Sequence, residues 1–255
     1  MTEHAEQAQE RRLFVSWRDP AGSIHPVGCL VRRLDPDGQS YRFAYLKATE
    51  SLQGFEPLPG LPELHLRYES SRLFPVFANR VMPRSRPDFD LLASRLHLGG
   101  DADPFEVLAR TGGRRVTDRI EVFAPPERTA DDESTVLFLV RGIRHLAGAA
   151  DAVSALAVGD HLVMVDDRDN RFNAHAILVR VSDGHHVGWL PDYLVDHVHK
   201  LRQLNCTDPQ VLVEHVNDTT VAAHMRLLCR LTAPWPAGYV PFAGAAFQPL
   251  ASLVS

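Results

Sequence analysis

Six short apolar segments follow one another in the second half of the chain, and turn-forming residues separate them. They cover residues 136–142, 161–166, 176–181, 186–190, 211–216 and 224–231. Segments of this length and composition are typical of β-strands, and a regular series of them predicts a small barrel. After the fourth segment, Leu194, Val198 and Leu201 recur at helical spacing behind Pro191, which predicts one amphipathic helix.

The first half of the chain mixes strand and helix patterns. Strands are predicted at 13–17, 27–31, 41–45 and 116–123, which are rich in β-branched and aromatic residues. Apolar residues at helical spacing predict helices over 73–82 and 87–96. Asp103 and Pro104 supply an N-cap and a first-turn proline for a third helix, which Gly112 and Gly113 end. These patterns predict an α+β domain over residues 11–123.

Residues 124–133 separate the two patterns. This segment is acidic, contains two prolines and lacks periodicity, so we expect a linker there. A mainly β domain with one amphipathic helix is expected to follow over residues 134–235. Residues 236–255 are rich in proline and glycine, and we expect an extended C-terminal tail.

Net charge limits the kind of nucleic-acid contact that this chain can make. It carries 27 lysines and arginines against 32 aspartates and glutamates, a net charge of −5. A protein that coats duplex DNA by neutralising phosphates would be strongly basic, so any nucleic-acid contact must be local. No apolar run approaches the roughly 18 residues of a membrane span. Because the first residues lack a signal-peptide pattern and the three cysteines lack C-x-x-C spacing, we expect a reduced, cytoplasmic protein.

Three stretches carry a resemblance to a known family. They are VRGIRHLAG at 140–148, GDHLVMVDDRDNRFNAHAI at 159–177 and the turn VGWLP at 187–191 before the amphipathic helix. In order and spacing they resemble the HIRAN domain over residues 134–232. The resemblance implies an OB-like β-barrel. In family members fused to DNA-remodelling ATPases, this barrel captures the 3′ end of single-stranded DNA.

The resemblance also implies roles for individual residues. Arg144 would contact a terminal phosphate, and His145 stands where the family often has an aromatic residue. Asn170 would hydrogen-bond near the terminal nucleotide. Phe172 would stack on a base.

Four further positions complete the comparison with the family pattern. Asn173 stands where the family usually has an aspartate that recognises the 3′-hydroxyl, and Trp189 holds the aromatic or histidine position before the helix. The chain also departs from the pattern at His175, in place of asparagine, and at Asp192, in place of a basic residue.

The residue types at this place support a nucleic-acid site independently of the family. Single strands are held by base stacking on aromatic side chains, together with a few cations along the backbone. Phe172 and Trp189, with Arg144, Arg168 and Arg171, supply both components on loops of the predicted barrel. The alternative is that both aromatic residues belong to the core and that the arginines form a solvated rim.

A second and looser resemblance covers residues 11–123. The alternation of Tyr41, Phe43 and Tyr45, the segment 73–80 and the helix start at 103–108 are similar to the N-terminal subdomain of HipA-type toxin kinases. The kinase core that follows in that family is replaced here by the HIRAN-like region. The resemblance therefore implies contact with a protein partner or a structural platform.

Motifs of common enzymes are missing from the sequence. It contains no G-x-x-x-x-G-K-[ST] phosphate loop, no G-x-S-x-G and no H-E-x-x-H. The 13 histidines show no metal-binding spacing, and Asp166 with Asp167 fits a turn better than a Mg²⁺ site. We therefore expect a protein that is not an enzyme and that holds no metal or cofactor.

The resulting hypothesis is a protein that binds single-stranded DNA, at 3′ ends, through its HIRAN-like domain, in DNA repair or defence. Two alternatives stay open. One is a protein-interaction module whose HIRAN-like site no longer binds DNA. The other is an accessory subunit of a DNA-processing helicase or nuclease, recruited through the first domain.

Overall fold

The computed structural model describes residues 9–36, 38–115, 117–205 and 208–253. By backbone contacts the chain divides into two compact units. The first contains the residues up to Phe89, then Asp103–Pro125 and the residues from Phe242 onwards; the second contains Asp90–Ala102 and Pro126–Pro241. These divisions do not follow the linker and tail expected from the sequence, because each unit includes a segment from the other half of the chain.

The first unit is built on a five-stranded antiparallel sheet in the order β4-β3-β2-β1-β5. Its strands are β1 (Gln9–Arg18), β2 (Ile24–Asp35), β3 (Gly38–Tyr45), β4 (Tyr68–Ser70) and β5 (Ile120–Phe123). Two helices of this unit follow β4 in the chain, α1 (Pro75–Ala78) and α3 (Pro104–Thr111). Between them lies α2 (Phe89–Arg95), which from Asp90 onwards belongs to the second unit. The segments 13–17, 27–31 and 41–45 lie within β1, β2 and β3, so the predicted opening strands are confirmed.

Helix α3 begins and ends as its sequence predicts. The Asp103 carboxylate accepts a hydrogen bond from the Glu106 N–H at 3.0 Å, and Gly112 ends the helix with a φ of 76°. The buried Arg32 guanidinium on β2 donates to Asp103 and Glu106 at 2.7 and 2.8 Å and lies 4.6 Å from the Phe105 ring centroid. These contacts fix the first turn of α3 on the sheet.

The helix predicted over 73–82 is much shorter in the structure, where only Pro75–Ala78 is helical. The proline at 83 disfavours helical backbone at the residue before it. Arg80 also leaves the helix, and its guanidinium donates to Asp118 at 2.6 Å and to the Gly113 carbonyl at 3.1 Å. The apolar spacing over 73–82 therefore reflects packing of a short helix and the loop that follows it.

The second unit is a curled half-barrel sheet, which is compatible with an OB-like fold. Its seven antiparallel strands run in the order β10-β9-β8-β11-β12-β7-β6. They are β6 (Glu127–Arg128), β7 (Glu133–Leu139), β8 (His161–Asp166), β9 (Ile177–Arg180), β10 (His186–Trp189), β11 (Gln210–Val216) and β12 (Leu227–Pro234). Helix α4 (Ala149–Ser154) lies between β7 and β8, and α5 (Asp192–Asn205) lies between β10 and β11.

The amphipathic helix predicted behind Pro191 is confirmed as α5. Leu194, Val198 and Leu201 have no exposed surface, so the apolar positions at helical spacing form its buried face. Helix α4 and strand β6 were not predicted. In the described part of the chain, no helix is both long enough and apolar enough to cross a membrane.

Candidate nucleic-acid interface

The open edge of the curled sheet is tied back to the chain just after β7. The Arg141 N–H donates to the Trp189 carbonyl at 2.9 Å, and the Trp189 N–H donates to the Arg141 carbonyl at 2.8 Å. Gly142 then adopts a φ of 71°, and a Cβ built on it would lie 2.4 Å from Cε3 of Trp189. The indole therefore packs directly on the backbone of Gly142, which fixes the ring at the closure of the half-barrel.

Asp167 connects this tryptophan to the loop between β8 and β9. Its Oδ2 accepts hydrogen bonds from the Trp189 indole N–H at 2.8 Å and from the Asn170 side-chain amide at 3.0 Å. The side-chain oxygen Oδ1 of Asn170 in turn accepts from the backbone N–H groups of Phe172 and Asn173 at 3.0 and 3.2 Å. The Asn170 side chain thus fixes the conformation of the turn, because its amide nitrogen bonds to Asp167 and its amide oxygen bonds to the backbone of Phe172 and Asn173.

Phe172 is the most exposed large apolar side chain in the described chain, at 80%. The turn around it also exposes Arg168 and Arg171. Phe172 is therefore not a core side chain, whereas Trp189 is half-buried. Three hydrogen bonds, Trp189 to Asp167, Asn170 to Asp167 and Phe172 to Asn170, connect the exposed ring to the half-buried one.

Asn173 points towards helix α5. Its amide nitrogen donates to Oδ1 of Asp192 at 3.2 Å, and its amide oxygen accepts from the His175 N–H at 2.9 Å. His199 on α5 lies with Nε2 3.1 Å from the His175 carbonyl. The two departures from the family pattern at 173 and 192 are therefore in direct contact, and a carboxylate stands beside the amide.

Arg144 and His145 lie on a single 3-10 turn, Ile143–His145, which directly follows Gly142. Both side chains are exposed, and the Arg144 Nε–H donates to Nε2 of His145 at 3.1 Å. The Arg144 guanidinium and the His145 ring are therefore exposed side by side.

The charge balance of the loop is slightly acidic. Residues 166–173 contain three aspartates and two arginines. Asp166 is already paired with Arg202 of α5 at 2.6 Å. The loop therefore carries no excess of positive charge. Among the described residues, no three His, Cys, Asp or Glu side chains cluster in a way that could hold a metal ion.

Sequence reasoning missed two residues that shape the site, Asp167 and Gly142. The sequence pattern indicates only a turn at Asp167, although a tryptophan N–H in a partly buried place needs an acceptor. Gly142 looked like part of an opening strand. Its role depends on a ring that lies 47 residues further along the chain, a pairing that local patterns do not reveal.

No protein-family model matches this chain, and no curated protein matches it. Among solved structures, the chain is similar to a protein from Lactobacillus plantarum determined by structural genomics. The two are 16% identical, the match covers 39% of this chain and 97% of the other, and the TM-score is 0.32. The chain is also similar to the HIRAN domain of human HLTF, with 17% identity, coverage of 38% and 71%, and a TM-score of 0.29. Both are weak structural resemblances, and the resemblance of residues 11–123 to HipA-type kinases stays a prediction.

Proposed function

We propose that this protein binds single-stranded DNA at a 3′ end through a surface made of loop 166–173, Trp189 and the turn Ile143–His145. The observation that carries the proposal is the Phe172 ring, 80% exposed on a turn whose backbone Asn170 fixes. A large ring held in solvent by a structured turn is a ready surface for stacking, and every nucleic-acid base has a π-face.

The charge of the site determines the mode of binding that we propose. With Arg144, Arg168 and Arg171 as the exposed cations, two or three phosphate contacts are the most that the surface supports. For single strands this predicts a slope of log K against log[salt] of about −1.5 to −2. Affinity then comes mainly from stacking on Phe172, with Trp189 as the second aromatic surface.

Preference for a terminal hydroxyl follows from the contact between Asn173 and Asp192. A carboxylate beside the amide can accept a hydrogen bond from a hydroxyl, and it repels a terminal phosphate. We therefore propose that a 3′-hydroxyl strand binds more tightly than a 3′-phosphate strand. The Asp192→Asn variant should reduce this difference, and a difference that the substitution leaves unchanged would place the strand end elsewhere.

The main test is a fluorescence-anisotropy titration of labelled single strands and of a blunt duplex with the same sequence. We expect tighter binding of the single strand. Phe172→Ala should weaken this binding by the loss of one stacked base, roughly 1 to 3 kcal/mol or about 5- to 150-fold. Because Phe172 is exposed, the substitution should leave the unfolding transition unchanged.

Leu204→Ala is the matched control, since Leu204 is an exposed apolar residue of the same unit on helix α5. Its affinity for the single strand should equal that of the unmodified protein. Tighter binding of the duplex, or equal losses in Phe172→Ala and Leu204→Ala, would overturn the proposal.

A further inference from the structure

The last residues that the structure describes, 242–253, return to the five-stranded sheet of the first unit; we name them the returning segment. Phe242 and Phe247 pack on the rings of Phe14 and Phe123, which lie on β1 and β5. The ring centroids of Phe14 and Phe242 are 5.6 Å apart, those of Phe14 and Phe247 5.1 Å, and those of Phe123 and Phe242 5.5 Å. Phe14 and Phe123 are 3% and 2% exposed. The four rings thus form one cluster on a face of the sheet.

Backbone pairing continues the contact past the rings. The Lys47 N–H donates to the Gln248 carbonyl, and the Leu250 N–H donates to the Tyr45 carbonyl, each at 2.8 Å. Leu46 and Pro249 form the antiparallel bridge between these two bonds. This single bridge aligns the returning segment antiparallel to the chain at the end of β3.

Half of the residues of the returning segment are exposed, although the face that it covers is buried. Of residues 242–253, only Leu253 is buried, whereas residues 243–246 and Gln248 are exposed. Beyond the rings and the bonds to β3 and Lys47, Arg42 donates to the Leu253 carbonyl at 3.0 Å. Arg67 also donates to the Ser252 carbonyl at 3.4 Å. Without the segment, the rings of Phe14 and Phe123 would lose the cover of Phe242 and Phe247. This face is therefore expected to be covered at all times, either by the chain's own returning segment or by an equivalent segment that replaces it.

Phe242 carries backbone strain at the place where the chain crosses between units. The second unit ends at Pro241, and Phe242 has a φ of 54°, in the left-handed region that a residue with a side chain rarely adopts. A strained connection at the start of an exchangeable segment is the situation that favours domain swapping. In an exchanged form, the rings and backbone bonds would be the same, and only this connection would relax.

We propose that two copies of this chain exchange their returning segments, so that each segment covers the five-stranded sheet of the other copy. A second copy is the partner that fits, because the rings of Phe14 and Phe123 and the edge at Leu46 are already complementary to this sequence. The interaction is independent of the DNA-binding surface proposed above, since every contact that it uses lies in the first unit.

A disulfide test distinguishes contact within one chain from contact between two. Lys47 and Gln248 are neighbours across the backbone bond, and both are exposed, so cysteine at either position should be well tolerated. The test uses a background in which Cys206 is replaced by serine. Burial raises the pKa of the Cys29 thiol to about 12 and also raises that of Cys229, so these buried thiols should not compete.

The Lys47→Cys and Gln248→Cys proteins are mixed at high concentration, incubated and oxidised. We expect a disulfide-linked dimer in a yield about tenfold above that of Lys47→Cys mixed with Ser182→Cys, an exposed position of the second unit that reports random collision. A yield equal to this control would overturn the proposal. The double variant Lys47→Cys/Gln248→Cys should close a disulfide within one chain when dilute, and its failure to do so would overturn the contact itself.

Phe242→Gly tests the strained connection. Glycine adopts a φ of 54° without strain, so the closed monomer should gain about tenfold over the dimer, the factor that corresponds to about 1.4 kcal/mol. The Phe242 ring makes the same contacts in the monomer and in the dimer, so its loss should destabilise both forms equally. Phe247→Ala removes a ring from the same cluster without relieving strain and serves as the control in light-scattering measurements of mass against concentration. Equal dimer fractions in the two variants would exclude Phe242 as the origin of the exchange.

Discussion

His197 shows how a single buried side chain sets a pH dependence in the second unit. It is 2% exposed on α5, and its ring stacks on Tyr239 with Nδ1 2.8 Å from the phenol oxygen. Its Nε2 lies 3.4 Å from Oγ of the fully buried Ser134. Burial lowers the pKa of the imidazole from its usual 6.5 to about 4, so the native protein holds His197 neutral.

This pKa predicts a loss of stability on mild acidification. Between pH 6.5 and pH 4 the unfolded chain binds a proton at this position and the native protein does not, so the free energy of unfolding falls as pH falls. The full interval corresponds to about 3 kcal/mol, at about 1.4 kcal/mol per pH unit. Chemical denaturation at several pH values should show this slope in the unmodified protein.

The slope should be much smaller in His197→Phe, which cannot take up the proton. His161→Gln is the matched control, since His161 is exposed in the same unit and its loss should keep the slope. Equal slopes in the unmodified protein and in His197→Phe would show that another group causes the pH dependence. Hydrogen bonds also hold the pKa of the exposed carboxyls Asp183 and Asp218 below the ordinary value of 3.8, so these groups add to the slope as pH approaches that value. The slopes are therefore compared between pH 6.5 and about pH 5, where His197 titrates in the unfolded chain and these carboxyls stay ionised.

Residue types could be predicted for much of the site, but their surroundings could not. The sequence singled out Phe172 and Trp189 as an aromatic pair, yet nothing in it distinguishes an exposed ring from a half-buried one. The family resemblance implies that Asn170 and Asn173 contact the nucleotide, and this stays a prediction. It does not reveal that their amides bond to Asp167, Asp192 and backbone groups. Such contacts depend on which loop folds against which helix, and a local pattern does not contain that information.

At the scale of elements, the turn after β7 is the part of the half-barrel on which the site depends most directly. Gly142 in this turn meets the Trp189 ring, and Gly148, six residues later, also has a positive φ, of 74°, but has open space around it. Both glycines therefore need a positive φ, but of the two only Gly142 also lies in close contact with another side chain.

This difference predicts unequal effects of two alanine substitutions. Gly148→Ala should cost the left-handed strain alone, about 1 to 2 kcal/mol of unfolding free energy. Gly142→Ala should cost more, because its Cβ must also push the Trp189 ring away, and it alone should weaken binding of the single strand. Thermal unfolding and anisotropy of both variants provide the measurement. Equal losses of stability and affinity would mean that the Trp189 position does not depend on Gly142.

Elements with a long or distinctive pattern could be predicted, and short ones could not. Helix α5 has buried apolar residues over several turns, and α3 has both caps, so each was recognised from sequence. Helix α4 buries only Ala149 and Val153, a single repeat that is too short to show a period. Strand β6 has two exposed residues, Glu127 and Arg128, and exists through its pairing with β7 rather than through its own composition.

At the scale of the whole chain, two segments belong to units on the other side of the expected linker. Residues 90–102 join the second unit, where the Arg95 carbonyl accepts from the Asn217 amide at 2.7 Å and His97 lies 3.6 Å from Glu214. The returning segment 242–253 joins the first unit. The sequence predicts a division into independent domains near residues 124–133. Such a division would separate residues 90–102 from the second unit and the returning segment from the first unit.

We therefore predict that the chain stays together after a cut in this region. A protease site inserted between Ala130 and Asp131, which are both exposed, should be cleaved efficiently. The two halves should then co-elute on size exclusion under native conditions and separate only in denaturant. Separate elution of two folded halves under native conditions would favour the independent domains expected from the sequence.

Photochemical cross-linking tests most directly whether a nucleic-acid base stacks on the ring of Phe172. A single strand carrying 5-iododeoxyuridine at its 3′-terminal nucleotide is bound, irradiated and digested with trypsin, and adducts are located by mass spectrometry. We predict an adduct on the peptide 172–180, which begins with Phe172, that excess unlabelled single strand suppresses. Adducts confined to peptides of the first unit, or an adduct on 172–180 that competitor does not suppress, would contradict specific stacking of the terminal base on Phe172.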